Sequence, residues 1–409
     1  MRRSAKLALA ALTLAAGVGE ATSAGLQDFA AVERGRYLAN AADCGSCHTV
    51  PGSDHPFSGG RPIETPFGVL VSPNITPDRE TGIGAWSDEE FEAAVRNGRR
   101  RDGKRLYPAM PFPYFARMTP QDVKDVRAYL STIEPLRNPV SANHLPFPLN
   151  ERMAMAVWDK LYFAPGTFKE EPSKSKQWNR GAYLVQGAGH CGACHTPKTF
   201  LGGDETSEPL QGYTLQGWVA PDITSGQGPL AQWSAEDLAQ YLKAGHNRFA
   251  AAAGLMSEVV ELSTSKLSDD DVKAMAVYLK DVSGPKSAAD SSADARVLTA
   301  GGAIYQDLCS ACHKPDGTGV PNLIPDLTQA ATVNTGDPTT VLRVILQGAQ
   351  SVATDREPTG PAMPAFGWQL NDAQVAAVAT YVRNHWGKAP PVSEDAVRKQ
   401  RAALDARTN

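Results

Sequence analysis

Cys44-Gly45-Ser46-Cys47-His48 decides how this chain is read, because the pattern returns as Cys191-Gly192-Ala193-Cys194-His195 and as Cys309-Ser310-Ala311-Cys312-His313. In a helical turn, positions i, i+3 and i+4 share one face. Two sulfurs and one imidazole can therefore all point at a single flat ligand. Cys-x-x-Cys-His is the attachment signature of c-type haem. Cys44 with Cys47, Cys191 with Cys194, and Cys309 with Cys312 are expected to form thioethers, and His48, His195 and His313 to bind iron. Three covalently bound haems c follow. The chain has six Cys, all inside these motifs, so no thiol remains for a disulfide.

Working outward, the neighbourhood of each motif also repeats. A short amphipathic stretch with Gly and an aromatic precedes it: Arg34-Gly35-Arg36-Tyr37-Leu38, Arg180-Gly181-Ala182-Tyr183-Leu184 and Gly302-Ala303-Ile304-Tyr305. After it come Pro73-Asn74-Ile75-Thr76, Pro221-Asp222-Ile223-Thr224 and Pro325-Asp326-Leu327-Thr328. A helical run then ends at Gly98, Gly245 or Gly348, the residue type expected just past a helix C-terminus. Ser87 with Glu90 makes a capping box at the start of the first such helix, and Ser234 with Asp237 resembles one. A closing helix is expected over 120–130, 268–280 and 371–384, behind the N-cap candidates Thr119, Ser268 and Asn371. It carries Tyr129, Tyr278 or Tyr381. The first two copies are the closer pair. The elements are helices throughout, so the fold class expected is all-α.

An iron held by one His needs a sixth ligand, and Met and His are the usual donors. Met363 is the only Met after Cys312, and its setting Pro361-Ala362-Met363-Pro364 matches Tyr107-Pro108-Ala109-Met110-Pro111. Met256 keeps the interval from Gly in the second copy. Met110, Met256 and Met363 are therefore assigned as axial ligands, while Met118 and Met275 read as core. His55, His144, His190, His246 and His385 read as solvated loop residues, although His190 adjoins Cys191 and could instead tune its haem. The basic run Arg96, Arg99, Arg100, Arg101, Lys104 and Arg105 is either a solvated loop or a partner for propionates or an acidic protein.

The chain has 409 residues and a formal charge of −4, too near neutral to argue for nucleic acid. Arg2, Arg3 and Lys6 precede an apolar run from Leu7 to Val18 and the small residues Thr22-Ser23-Ala24, the make-up of a secretory signal. That run is shorter than the ~20 residues of a spanning helix. Residues 1–24 are expected to be removed on export to the periplasm, and any hold on the membrane to be peripheral or through partners.

The order of small helix, haem motif, loop, middle helix, Met loop and closing helix resembles the class I cytochrome c fold. The resemblance implies three tandem class I cytochrome c domains, at 25–140, 178–284 and 296–388. A linker with a short helix lies at 141–177, a flexible connector at 285–295 and a polar tail at 389–409. It also implies that the first and last helices of each domain cross at Gly35, Gly181 and Gly302, with Tyr129, Tyr278 and Tyr381 packed over the crossing. With Ser72-Pro73-Asn74-Ile75-Thr76-Pro77-Asp78 and the insert around Trp158, the whole resembles the triheme cytochrome c subunit of membrane-bound bacterial dehydrogenases acting on alcohols, sugars, sugar acids or aldehydes. The resemblance implies electrons arriving from a separate catalytic subunit, of flavin, quinone or molybdenum type. They would leave for ubiquinone or for a cytochrome or terminal-oxidase acceptor. No substrate chemistry is expected in this chain itself. The tail lacks the apolar C-terminal anchor of some members. Rival readings are a haem enzyme such as a peroxidase, which needs one motif without its Met, and a zinc or thiol-redox protein, which leaves three adjacent His unexplained.

Overall fold

The computed structural model describes residues 20–226, 230–284 and 291–408. Helices dominate, and one order of elements occurs three times. The first run has an opening helix Glu20–Ala41, the motif turn Cys44–His48, a middle helix Asp88–Asn97 and a closing helix Pro120–Leu130. The second has Lys176–Gln186, Gly192–His195, Ala235–Ala244 and Asp269–Asp281. The third has Ala295–Ile304, Ser310–His313, Thr339–Gln347 and Asp372–His385.

The all-α expectation needs one amendment. Each run also carries a small antiparallel ladder: Pro62–Thr65 with Gly68–Val71, Tyr213–Leu215 with Trp218–Ala220, and Ala349–Gln350 with Ala362–Met363. The second turns through Gln216 and Gly217 at φ 48° and 71°. Two positive φ values suit the twist of a tight hairpin, but glutamine is a poor advertisement for one.

The helix ends follow their sequence signals. Ser87 with Glu90, Ser234 with Asp237 and Asn371 with Gln374 all close capping boxes. Thr119 and Ser268 cap the other two closing helices. Gly98 and Gly245 stop the middle helices in the left-handed region.

Opening and closing helices cross at backbone distance. A Cβ on Gly35 would sit inside the carbonyl of Asp125, and one on Gly181 inside that of Ala274. In the third run the crossing glycine is Gly301, against Ala377, and not Gly302 as expected. Gly302 lies one position around the helix, under the edge of the Tyr381 ring. A cation from each closing helix then clamps carbonyls in front of the middle helix. Arg127 donates to Ile83 and Trp86, Lys280 to Leu230 and Ala231, and Arg383 to Val333, Thr335, Gly336 and Asp337. Arg383 is fully buried.

The first two runs share one core and grip each other reciprocally. The Tyr37 hydroxyl meets Asp271 at the start of the second closing helix, and the Tyr183 hydroxyl meets Asp122 at the start of the first. Ser268 N–H donates to Tyr37 at 3.1 Å, and Thr119 N–H to Tyr183 at 3.2 Å. Such an exchange of equivalent contacts is the mark of two-fold pairing. The third run has its own core and docks its middle helix on the second hairpin. Val219 N–H donates to Thr340, and the Arg343 guanidinium stacks over Trp218 at 4.3 Å.

The apolar run near Trp158 forms the helix Met155–Tyr162, whose Trp158 packs edge-on against Phe112. The polar tail is helical over most of its length. Glu394–Thr408 is a helix that buries Val397 and Leu404 on the third core, tied by Arg401 to Asp372 at 3.0 Å. Most of the expected leader and part of the 285–295 connector lie outside the described residues.

Candidate haem sites

Each motif turn must hold its imidazole in one orientation. His48 Nδ1 lies 2.8 Å from the Pro73 carbonyl, and His195 Nδ1 2.8 Å from that of Pro221. A carbonyl only accepts, so Nδ1 is the protonated nitrogen and Nε2 keeps its lone pair for a metal. Pro325 influences His313 in the same way, although His313 Nδ1 falls short of hydrogen-bond geometry. Burial pushes all three imidazoles below their ordinary pKa, which keeps them neutral.

A continuous, mainly apolar cavity of about 460 Å³ brings the second and third sites together. Cys191, Cys194, His195 and Met256 line it from one side, and Cys309, Cys312, His313 and Met363 from the other. Met256 is not in a loop as its counterparts suggested; it is the second residue of the helix Leu255–Leu262. Met363 is paired in its ladder with Ala349, directly after Gly348. In the first site Met110 and Cys44 pack against the same core as Phe57 and Leu38. Met118 and Met275 are 1% and 2% exposed, the core residues their positions implied.

The sulfurs stand free where thioethers would form. Burial raises the thiols of Cys44 and Cys191 to about 12 and those of Cys194 and Cys309 to about 11. Such surroundings oppose the thiolate that zinc binding or disulfide exchange needs. A neutral thioether carries no charge to desolvate. Among the described residues no group of three or more His, Cys, Asp or Glu is arranged to hold a metal ion. The cavity wall also holds the Trp233 indole, 3% exposed, whose Nε1–H has no partner among the described residues. A buried donor without an acceptor calls for an explanation, and a haem carboxylate is an acceptor of the right kind. The residues present therefore fit the group that the motifs imply.

The cytochrome c family model matches residues 32–134 and 298–386, which contain the first and third motifs. The gluconate 2-dehydrogenase cytochrome c subunit of Pantoea cypripedii is 40% identical over 382 residues, covering 88% of this chain and 86% of the relative. The chain belongs to this family of cytochrome c subunits. The cytochrome is also 38% identical to the fructose dehydrogenase cytochrome subunit of Gluconobacter japonicus, over 91% of its own length and 82% of the relative's. To the cytochrome c subunit of alcohol dehydrogenase (quinone) from Gluconobacter oxydans it is 35% identical, with 98% and 88% covered.

Several parts of the cytochrome's sites escaped the sequence. His190 is not a solvated loop residue: its ring lines the cavity, edge-on to Phe115 at 5.5 Å, and its Nδ1 is 2.9 Å from the Ala188 carbonyl. His246 is 3% exposed, with neither ring nitrogen paired among the described residues. His55, His144 and His385 are exposed, as expected. The proline carbonyls were signalled by the repeated Pro-x-Ile/Leu-Thr segment, whose purpose only the fold reveals. Of the basic run, Arg96 pairs with Glu92 at 2.6 Å and Arg105 with Asp159, while Arg99, Arg100, Arg101 and Lys104 are exposed.

Proposed function

We propose that this cytochrome carries three covalent haems c, one in each of three tandem domains, and passes single electrons from a separate dehydrogenase catalytic subunit to ubiquinone or another respiratory acceptor. The dehydrogenase names of its relatives support a catalytic partner of flavin, quinone or molybdenum type. Export on residues 1–24 would place the work in the periplasm.

Bound at these sites, haem c supplies reversible one-electron chemistry. The chain's own part is to hold it. His48 with Met110, His195 with Met256 and His313 with Met363 would complete the axial pairs. The proline carbonyls fix the imidazoles, and the apolar walls keep water from the centres. The shared cavity between the second and third sites carries this reading, because it needs no intervening protein layer between two donor sets. The first and second sites also adjoin, since Cys194 feels the charges of Cys47 and Asp43. For one-electron steps, about 59 mV is a tenfold bias, so small differences among the sites suffice to give direction.

The test is a haem count on the full chain, purified from a host able to mature cytochromes, by pyridine haemochrome per polypeptide. Three covalent haems are expected. Two or fewer would overturn the reading.

A further inference from the structure

We propose that the apolar face made by Phe147, Met153, Val157, Leu161 and Phe200 is a membrane-contact surface that seats in an anionic lipid interface. It rests on the reading of this chain as an exported cytochrome. These side chains are 80%, 86%, 62%, 59% and 94% exposed.

The helix Met155–Tyr162 organises the face. Trp158, Asp159 and Tyr162 turn toward the protein, where Trp158 packs on Phe112 and Asp159 pairs with Arg105. Val157 and Leu161 are four residues apart and share the outward side. Met153 extends the same row one turn earlier, from the 3₁₀ turn Arg152–Ala154. The Phe200 loop is drawn alongside: Trp158 Nε1 donates to the Leu201 carbonyl at 3.1 Å, and the Tyr162 ring covers Gly203. Phe147 joins through its own segment. Tyr107 donates to the Leu149 carbonyl at 3.1 Å, and Arg152 to the Arg105 carbonyl at 2.7 Å.

Those two bonds also set the basic loop beside the row. Arg99, Arg100, Arg101, Lys104 and Lys160 are exposed along this flank, against Asp102 and Glu90 as the acidic groups they meet. Arg99 and Lys160 form no ion pair among the described residues. The chain as a whole is acidic, at −4, so an anionic surface is attracted at this collar in particular.

An apolar row with a cationic border is the chemistry of an interfacial contact. A protein partner fits less well. Strong protein contacts seat aromatic or Arg anchors in desolvated pockets. Here aliphatic, Met and Phe side chains stand clear of the surface on three separate segments, and a fluid apolar medium accepts them without a matching shape.

The experiment uses full-length, haem-loaded protein and sedimentable vesicles of phosphatidylglycerol with phosphatidylcholine, or of phosphatidylcholine alone. Binding to the anionic vesicles is expected to be at least tenfold tighter than to the neutral ones and to weaken with salt. Val157→Asp, Leu161→Asp and, on a different segment, Phe200→Asp should each lower it severalfold with haem content and spectrum unchanged. Lys160→Glu should lower only the anionic component. Wild-type protein that ignores anionic vesicles would overturn the proposal. So would variants that bind vesicles normally but no longer assemble with a catalytic subunit. Neither result alters the haem count, so the electron-transfer reading stands or falls separately.

Discussion

A hydrogen bond to one imidazole nitrogen fixes which nitrogen is left for a metal, and in this cytochrome the carbonyls of Pro73 and Pro221 do this for His48 and His195. The residues assigned to the iron could be named from sequence because their chemistry is written in adjacent letters. Cys, Cys and His at fixed offsets need no tertiary knowledge. The methionines could be proposed as ligands only through the repeat, since a lone Met is ordinarily packing material. The repeat marked Pro73 and Pro221 but not the role of their carbonyls, because a backbone oxygen has no letter, and the buried Trp233 indole left no signal, because burial is decided by the fold. The Met363 assignment yields a sharp expectation. Met363→Ala should leave its haem attached, because both thioethers and His313 remain. It should convert that one centre to a high-spin or newly ligated form, with a lower reduction potential, since Met/His ligation raises it. Absorption, electron paramagnetic resonance and a redox titration would read the change. A spectrum and potential identical to wild type would show that another group holds the sixth position.

At the scale of elements, helix ends were legible and close approaches only partly so. Capping residues act within four positions, so Ser87, Ser234 and Asn371 could be read directly and all three close their boxes. A crossing glycine is selected by what faces it, and Gly301-Gly302 offers two candidates with nothing local to choose between them. The structure chooses Gly301. A Cβ there would occupy the backbone carbonyl of Ala377, whereas a Cβ on Gly302 would lie 3.0 Å from the edge of the Tyr381 ring, which can tilt. Gly301→Ala should therefore destabilise the third run by about 2 kcal/mol or more, in the range of an overpacked interior. Gly302→Ala should cost little, because alanine's better helix propensity, about 1 kcal/mol, offsets the contact. Local hydrogen exchange in Ala295–Ile304 and Asp372–His385 would read both variants. Equal effects, or the reverse order, would contradict the crossing as described.

On the scale of the whole molecule, the reciprocal tyrosines explain why the first two copies look most alike. Tyr37 and Tyr183 reach across to the start of each other's closing helix, so one constraint acts on both copies at once. Tyr305 has no such duty; it packs inside its own run on Tyr381 and Trp386. The paired runs also share a charged seam beside the first Cys-x-x-Cys-His motif. Arg61 donates to the Ser46 carbonyl at 2.5 Å and forks onto Glu258, on the helix that bears Met256. Asp43 lies in that seam, 7% exposed, with Oδ1 unpaired among the described residues. Burial above all lifts its carboxyl from 3.8 to about 7, with Glu258 adding to the rise while Ser46, Arg61 and Lys266 oppose it. The folded protein therefore holds a proton that the unfolded chain releases above pH 3.8. Where the native state binds more protons, stability falls as pH rises. Asp43 thus takes stability away between about pH 4 and about pH 7, at up to about 1.4 kcal/mol per unit. Asp43→Asn removes that slope. Other carboxylates titrate in the same window, so the decisive quantity is the difference between the variant and wild type. Denaturation midpoints measured across this range should show the variant's advantage growing by a few kcal/mol from the acid end to neutrality. Parallel curves would mean that water or a cation reaches Asp43 and that the seam between the paired runs is open.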